Sequence, residues 1–237
     1  MKALILNSGL GRRMGESSKY APKCMTTLRF EETILSRQLN LLSDCNVKNI
    51  VMTTGLFSDQ LTDYCNSMPY DLDFTFVYNP LYKSTNYIYS MYLAREYLDE
   101  DFVLMHGDLV FEKKVLQKCI LMKESNMIVS SEIPLPEKDF KAVIHKDKVQ
   151  QIGTSFFEDA VAAQPMYYLR YEDWKKWSDS IEAFVKGNKV SCYAEDALNE
   201  IICTCNIVPN DIGSLLCSEI DTMEDRKRVV EMLKENE

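Results

Sequence analysis

From its first few residues the chain alternates short apolar runs with segments of helical spacing, and this alternation constrains its fold more than any other feature. Residues 3–6 are a short apolar run, which reads as a buried strand. A Gly-rich polar stretch follows. Residues 33–42 then have helical spacing, 49–54 form a second strand candidate, and a helix runs on through Cys65. Residues 72–78 alternate as a strand does, and residues 86–98 place Ile88, Met91, Tyr92 and Arg95 at helical spacing. Residues 102–106 read as a strand ending at Gly107-Asp108, residues 113–123 as a helix, and residues 127–131 as extended. The alternation predicts an α/β fold: a mostly parallel, Rossmann-like mixed sheet flanked by helices.

After about residue 134 the rhythm changes. Residues 142–144 and 149–152 flank His145-Lys146-Asp147-Lys148 as the arms of an antiparallel hairpin would. Residues 166–169 are a further strand candidate, residues 171–185 and 194–202 read as helices, and Ile207-Val208 as extended. A terminal helix over 222–233 takes Asp221 or Thr222 as its cap. The expected organisation is one domain over 1–237, with a parallel-sheet half to about 133 and a smaller, partly antiparallel half from about 134.

The length of 237 residues with 46% apolar composition supports a substantial core without covalent staples. Lysine and arginine number 27 against 36 acidic residues, a net charge of −9, which argues against a nucleic-acid coat or a basic membrane-surface domain. No apolar run approaches the roughly 20 residues that span a bilayer. The N-terminal run meets Gly-rich polar sequence too soon for a signal peptide, so the expected location is the cytoplasm. The eight cysteines have scattered spacing and sit mostly in apolar patterns, as reduced core thiols would. With two histidines, His106 and His145, and one isolated C-x-C at Cys203 and Cys205, a zinc site is not expected.

The chemistry starts directly after the first strand, in Leu6-Asn7-Ser8-Gly9-Leu10-Gly11-Arg12-Arg13. Glycines let the backbone close on a ligand, and exposed N–H groups hold phosphate oxygens. A dinucleotide loop needs G-x-G-x-x-G opening a helix. Here the third glycine comes one place late, at Gly15, and Tyr20-Ala21-Pro22 interrupts any helix. A triphosphate loop fits better, because arginines add charge to backbone donors; a tight structural turn is the plain alternative. Lys23, fixed by Pro22, is placed to neutralise charge during phosphoryl transfer, although alone it would read as a surface lysine.

Residues 4–28 resemble the signature of the sugar-phosphate and phosphocholine nucleotidyltransferases, L-x-A-G-x-G-x-R followed by P-K-x-[LM]. Arg13 and Lys23 take the signature positions. Asn7-Ser8 stands where two small residues are usual, and Arg12 where serine or threonine is common. The resemblance extends to Gly107-Asp108, similar to the family's metal-binding aspartate, and to Glu219-Ile220-Asp221, in which Asp221 would be the second metal ligand. Taken alone, Asp108 would read as a turn or cap, and Glu219 and Asp225 as structural. Asn79-Pro80-Leu81-Tyr82 with Asn86 and Ser90, and Tyr193-Ala194-Glu195-Asp196, are similar to segments of the bacterial CTP:phosphocholine cytidylyltransferases.

That resemblance implies a nucleotidyltransferase that binds CTP over Leu6, Asn7, Ser8, Gly9, Gly11, Arg12 and Arg13, with Lys23, Asn86 and Ser90 also on the nucleotide. It implies Mg2+ on Asp108 and Asp221, Arg13 and Lys23 as the catalytic cations, and no protein nucleophile. A small anionic acceptor is expected, first phosphocholine, then 2-aminoethylphosphonate or another phospho-amino compound, with a sugar 1-phosphate more distant. Ring faces from Tyr82, Tyr87, Tyr89, Tyr92, Tyr168, Trp174 and Tyr193 and the carboxylates of Glu195 and Asp196 would suit a cationic head group, and Lys141 the acceptor phosphate. For any one tyrosine the plain reading is packing, and for Lys141 a solvated hairpin residue. Nucleic-acid and membrane partners are not expected, and a homo-oligomer is left open. A binding-only regulatory domain is the reading from another class.

Overall fold

The computed structural model describes residues 1–11 and 20–235. In chain order these form β1 (Lys2–Leu6), β2 (Thr27–Arg29), β3 (Glu32–Thr33), α1 (Ile34–Asp44), β4 (Asn49–Thr54), α2 (Ser58–Ser67), β5 (Asp73–Tyr78) and α3 (Tyr87–Ala94). There follow β6 (Phe102–His106), β7 (Leu109–Phe111), α4 (Lys113–Leu121), β8 (Asn126–Ser130), β9 (Lys141–His145), β10 (Lys148–Gly153) and β11 (Ala160–Leu169). The chain finishes with α5 (Tyr171–Lys186), α6 (Ala194–Asn199), β12 (Val208–Asp211), β13 (Cys217–Glu219) and α7 (Met223–Glu235).

Nine strands make one mixed sheet in the order β10-β9-β11-β6-β1-β4-β5, with β8 on β11 and β12 on β8. The segment β6-β1-β4-β5 is parallel, as is β12 on β8. β11 runs antiparallel to β6, β8 and β9, so strands from both halves of the chain share one sheet. Its register shifts between Ala163 and Tyr167, across Pro165, which has no N–H to give a neighbour.

The central parallel strands β1, β4 and β6 read as apolar runs because both their faces are covered, whereas the edge strand β5 alternates. Leu4, Val51 and Leu104 pack with α3, α5 and α6 on one face. Ala3, Ile50, Met52 and Val103 pack with α1, α2 and α4 on the other. A satellite core joins α7 to the β2–β3 and β7–β13 pairs through Leu28, Val110, Ile220 and Val229.

The predicted hairpin is β9–β10, closed by Lys146 and Asp147, both at positive φ as a two-residue turn requires. Three helices are shorter than predicted: α3 passes into a 3-10 turn over Arg95–Tyr97, α4 stops at Leu121, and α6 stops at Asn199. Thr222 caps α7, exchanging bonds with Asp225, and Asp221 is thereby left to face elsewhere.

All eight cysteines are free; Cys24, Cys65, Cys119, Cys205 and Cys217 are buried, and Cys203 is exposed. Burial lifts the Cys65 thiol to about 12 and raises Cys24 and Cys119 further, so none of the three is a reactive thiolate at neutral pH. Titration of the native protein with a thiol reagent should modify Cys203 first, Cys45 and Cys192 slowly, and the buried five only after denaturation. Rapid reaction of all eight in the native state would contradict this core.

Candidate functional site

The site lies at the carboxyl ends of the parallel strands, where open α/β sheets bind ligands. β1 ends at Leu6 and opens into the loop Asn7–Gly11. β6 ends at His106 and turns through Gly107-Asp108 into β7. β13 ends at Glu219, two residues before Asp221.

Backbone pairing locks these segments together. Gly107 N donates to Leu6 O at 3.1 Å, and Ile220 N donates to Asp108 O at 3.0 Å. Gln38, 1% exposed on α1, donates from Nε2 to the carbonyls of His106 (2.9 Å) and Leu109 (2.8 Å). It therefore clamps both ends of the turn that carries Asp108. The loop after β1 is braced from below: Ser8 Oγ meets Ser90 Oγ at 2.6 Å, and Asn79 Nδ2 donates to Ser90 Oγ at 2.9 Å. Gly11 takes a φ of 59°, the left-handed conformation that a glycine admits without strain.

Lys23, in a 3-10 turn fixed by Pro22, sits at the centre. Its Nζ donates to Asp108 Oδ2 at 2.5 Å and to Asp221 Oδ1. Burial works against the ammonium, but Asp108 and then Asp221 outweigh it, and the Lys23 pKa lies above its ordinary value. Burial likewise pushes the Asp108 carboxyl up, yet Lys23 and His106 hold it below the usual range. Asp108 Oδ1 is buried without a hydrogen-bond partner among the described residues.

Next to this pair His106 Nδ1 lies 3.1 Å from Glu219 Oε1. Burial and the nearby Asp108 raise the Glu219 pKa to about 7, against the pull of His106. His106, Asp108 and Glu219 bring one ligand atom each to within 4.8 Å of one another. Tyr87 packs its ring against His106 at 4.7 Å and donates its hydroxyl to Glu195, which also accepts from Tyr167 Oη at 2.9 Å. Tyr193 stands 6.0 Å from Tyr87 and 5.2 Å from Phe140, between centroids. Tyr87, Tyr193 and Phe140 thus wall one side of a cavity of about 390 Å³, with Lys23, Asp108 and Asp221 on its border.

Leu6, Asn7, Ser8, Gly9, Gly11 and Lys23 border this cavity, as do Asn86, Tyr82, Tyr193, Asp108 and Asp221. Arg12 and Arg13 lie outside the described residues. The remaining candidates are placed elsewhere. Ser90 is buried beneath the loop and acts on Ser8. Tyr89 stacks on Tyr92 at 5.9 Å. Tyr168 belongs to the opposite face of the sheet and donates to Asp101 at 3.0 Å, because Tyr167, one residue earlier, takes the cavity-side core. Lys141 is buried, its ammonium on the carbonyls of Thr154 (2.6 Å) and Glu137 (3.2 Å) and over the Phe157 ring, so Phe140 borders the cavity in its place. Glu195, 1% exposed, holds Tyr87 from behind, and Asp196 closes the α6 capping box on Tyr193 N. His106, Phe140 and Glu219 escaped the sequence reading. Only Glu219 carried a signal, its place two residues before Asp221.

Residues 3–132 match the MobA-like NTP transferase domain. The chain belongs to that family. Among curated relatives, this NTP transferase is 29% identical over 178 residues to a CMP-5′-(3-aminopropyl)phosphonate synthase of Streptomyces rubellomurinus, covering 72% of the chain and 28% of the relative. It is 28% identical to a CTP:phosphoglutamine cytidylyltransferase of Campylobacter jejuni, covering 54% of the chain and 52% of the relative. A choline-phosphate cytidylyltransferase of Streptococcus pneumoniae is 23% identical with 99% of each chain covered. The solved structure of the CTP:phosphocholine cytidylyltransferase from Streptococcus pneumoniae superposes with a TM-score of 0.78 at 21% identity, over 98% of each chain, and shows the same nucleotidyltransferase fold. Among the described residues no helix is long and apolar enough to cross a membrane.

Replacing Lys23 by methionine keeps the stem and removes the charge. Pyrophosphate-release turnover should fall by about 10²–10³-fold, the scale of losing a preorganised electrostatic group, while circular dichroism stays native. Turnover within a few-fold of the parent would contradict a catalytic role.

Proposed function

We propose that this NTP transferase moves a cytidylyl group from CTP to a small phosphorylated or phosphonated amino compound, phosphocholine first among them. The observation that carries this reading is the convergence of Lys23, Asp108 and Asp221 on one border of a cavity whose other wall is aromatic. Aromatic faces attract a cationic head group, and the relatives' names share nitrogen-bearing phospho or phosphono compounds. A primary ammonium, as in 2-aminoethylphosphonate, would instead favour direct bonds to carboxylates such as Glu219.

The chain's residues fit Mg2+. Two carboxylates already converge on one cationic group, one Asp108 oxygen is buried without a partner among the described residues, and an all-oxygen donor set suits a hard cation. Asp108 and Asp221 would hold it, and the bound ion would neutralise phosphate charge and align the reacting oxygens.

The acceptor oxygen is anionic at neutral pH and needs no base. It attacks the α-phosphorus, a new P–O bond forms, the bond to the bridging oxygen breaks, and pyrophosphate carries the electron pair away. Lys23 meets the charge developing on phosphate oxygens. The loop after β1 orients the triphosphate. The aromatic wall of Tyr87, Tyr193 and Phe140 seats the head group and excludes water.

The test is pyrophosphate release over four nucleoside triphosphates and a panel of phosphocholine, phosphoethanolamine, 2-aminoethylphosphonate and sugar 1-phosphates, with Mg2+ and with a chelator. CTP with one amino-type acceptor should give signal that chelation abolishes. Signal only with a sugar 1-phosphate would overturn the acceptor class. With the active acceptor, Tyr193→Ala should raise its KM about 3–30-fold, the scale of a cation–π contact, and leave the KM for CTP unchanged.

A further inference from the structure

Asn7 is the first residue after β1. Its backbone N is bound to Thr53 on the β4 side, to the carbonyl and to Oγ1, both at 3.2 Å. Its carboxamide lies against Gly107 after β6. A Cβ on residue 107 would fall 1.7 Å from Asn7 Oδ1 and 2.4 Å from Cγ, so the Asn7 side chain fills the space that any side chain at 107 would need. Asn7 Nδ2 is buried and has no hydrogen-bond partner among the described residues. The residue also borders the cavity that holds Lys23, Asp108 and Asp221.

A buried amide donor left unpaired costs stability, so its presence on a ligand cavity calls for an acceptor that arrives with the ligand. We propose that Asn7 is a specificity-determining residue whose Nδ2 donates a hydrogen bond to a neutral oxygen of the bound nucleoside, either a sugar hydroxyl or the base carbonyl. The charged phosphate oxygens have Lys23 and the cation for partners, whereas a neutral amide suits a neutral acceptor. Gly107 is part of the same device, because its missing side chain is what lets the carboxamide lie beside the Asp108 turn. The inference rests on CTP being the nucleotide of the proposed function.

Calorimetric titration of the parent protein and of Asn7→Ala with CTP, UTP, GTP, ATP and 2′-deoxy-CTP, in Mg2+, tests it alongside nucleotide-free thermal unfolding. Asn7→Ala should bind CTP about tenfold more weakly, the effect of one lost neutral hydrogen bond. It should unfold at the same or a higher temperature, since an unpaired buried donor has gone. A loss seen with CTP but absent with 2′-deoxy-CTP assigns the 2′-hydroxyl, and equal losses assign the 3′-hydroxyl or the base carbonyl, which 3′-deoxy-CTP separates. Asn7→Asp, which keeps the shape but replaces the donor with an acceptor, should bind more weakly still. Unchanged affinity in Asn7→Ala overturns the proposal, as does weaker binding accompanied by a lower unfolding temperature, which makes Asn7 a structural residue. A parent protein that binds another triphosphate in place of CTP overturns the proposed donor, and Asn7 is then judged by the same comparison with that nucleotide. A parent that binds none overturns both.

Discussion

One lysine joins three distant segments of this chain. Lys23 Nζ meets Asp108, 85 positions away, and Asp221, 198 positions away. The three side chains are 13%, 21% and 17% exposed, buried enough that removing one charge leaves the others poorly solvated. The Lys23 ammonium between them offsets the repulsion of the two carboxylates. The strand ends and turns around them are arranged to hold that contact: Gln38 grips the Asp108 turn from α1, Ile220 N binds the Asp108 carbonyl, and Thr222 takes over the capping of α7.

A second layer of support runs behind the aromatic wall. Glu195 is buried and accepts from both Tyr87 and Tyr167. Trp177 Nε1 reaches across from α5 to the Ala194 carbonyl at 2.9 Å, which ties α6, and with it Glu195, to the core of the sheet. Through Tyr87 and His106 this network meets Glu219, beside the carboxylate pair. The charged and the aromatic borders of the cavity are therefore mechanically connected.

The parallel strands were legible in the sequence because burial on both faces makes β1, β4 and β6 continuous apolar runs. The strands that escaped, β2, β3, β7 and β13, are two or three residues long and too short to show a period. The site followed the same logic. Lys23, Asp108 and Asp221 stood in motifs and were legible as chemistry. The aromatic wall was legible only in part: Tyr193 stood in a motif, but a one-residue step in a strand exchanges its faces, so Tyr167 lies on the cavity side where Tyr168 does not, and Phe140 borders the cavity where Lys141 does not. His106 and Glu219 became visible only when β6 and β13 were brought side by side by the β7–β13 pairing.

Positioning and charge neutralisation, with no covalent intermediate on the protein, are the centre of this account. The most direct measurement is the stereochemical course at the α-phosphorus, followed with a single diastereomer of CTP carrying sulfur on that phosphorus and the acceptor found active. One in-line displacement by the acceptor oxygen predicts inversion of configuration in the product. Retention would mean two displacements through a protein nucleophile, and would contradict the account.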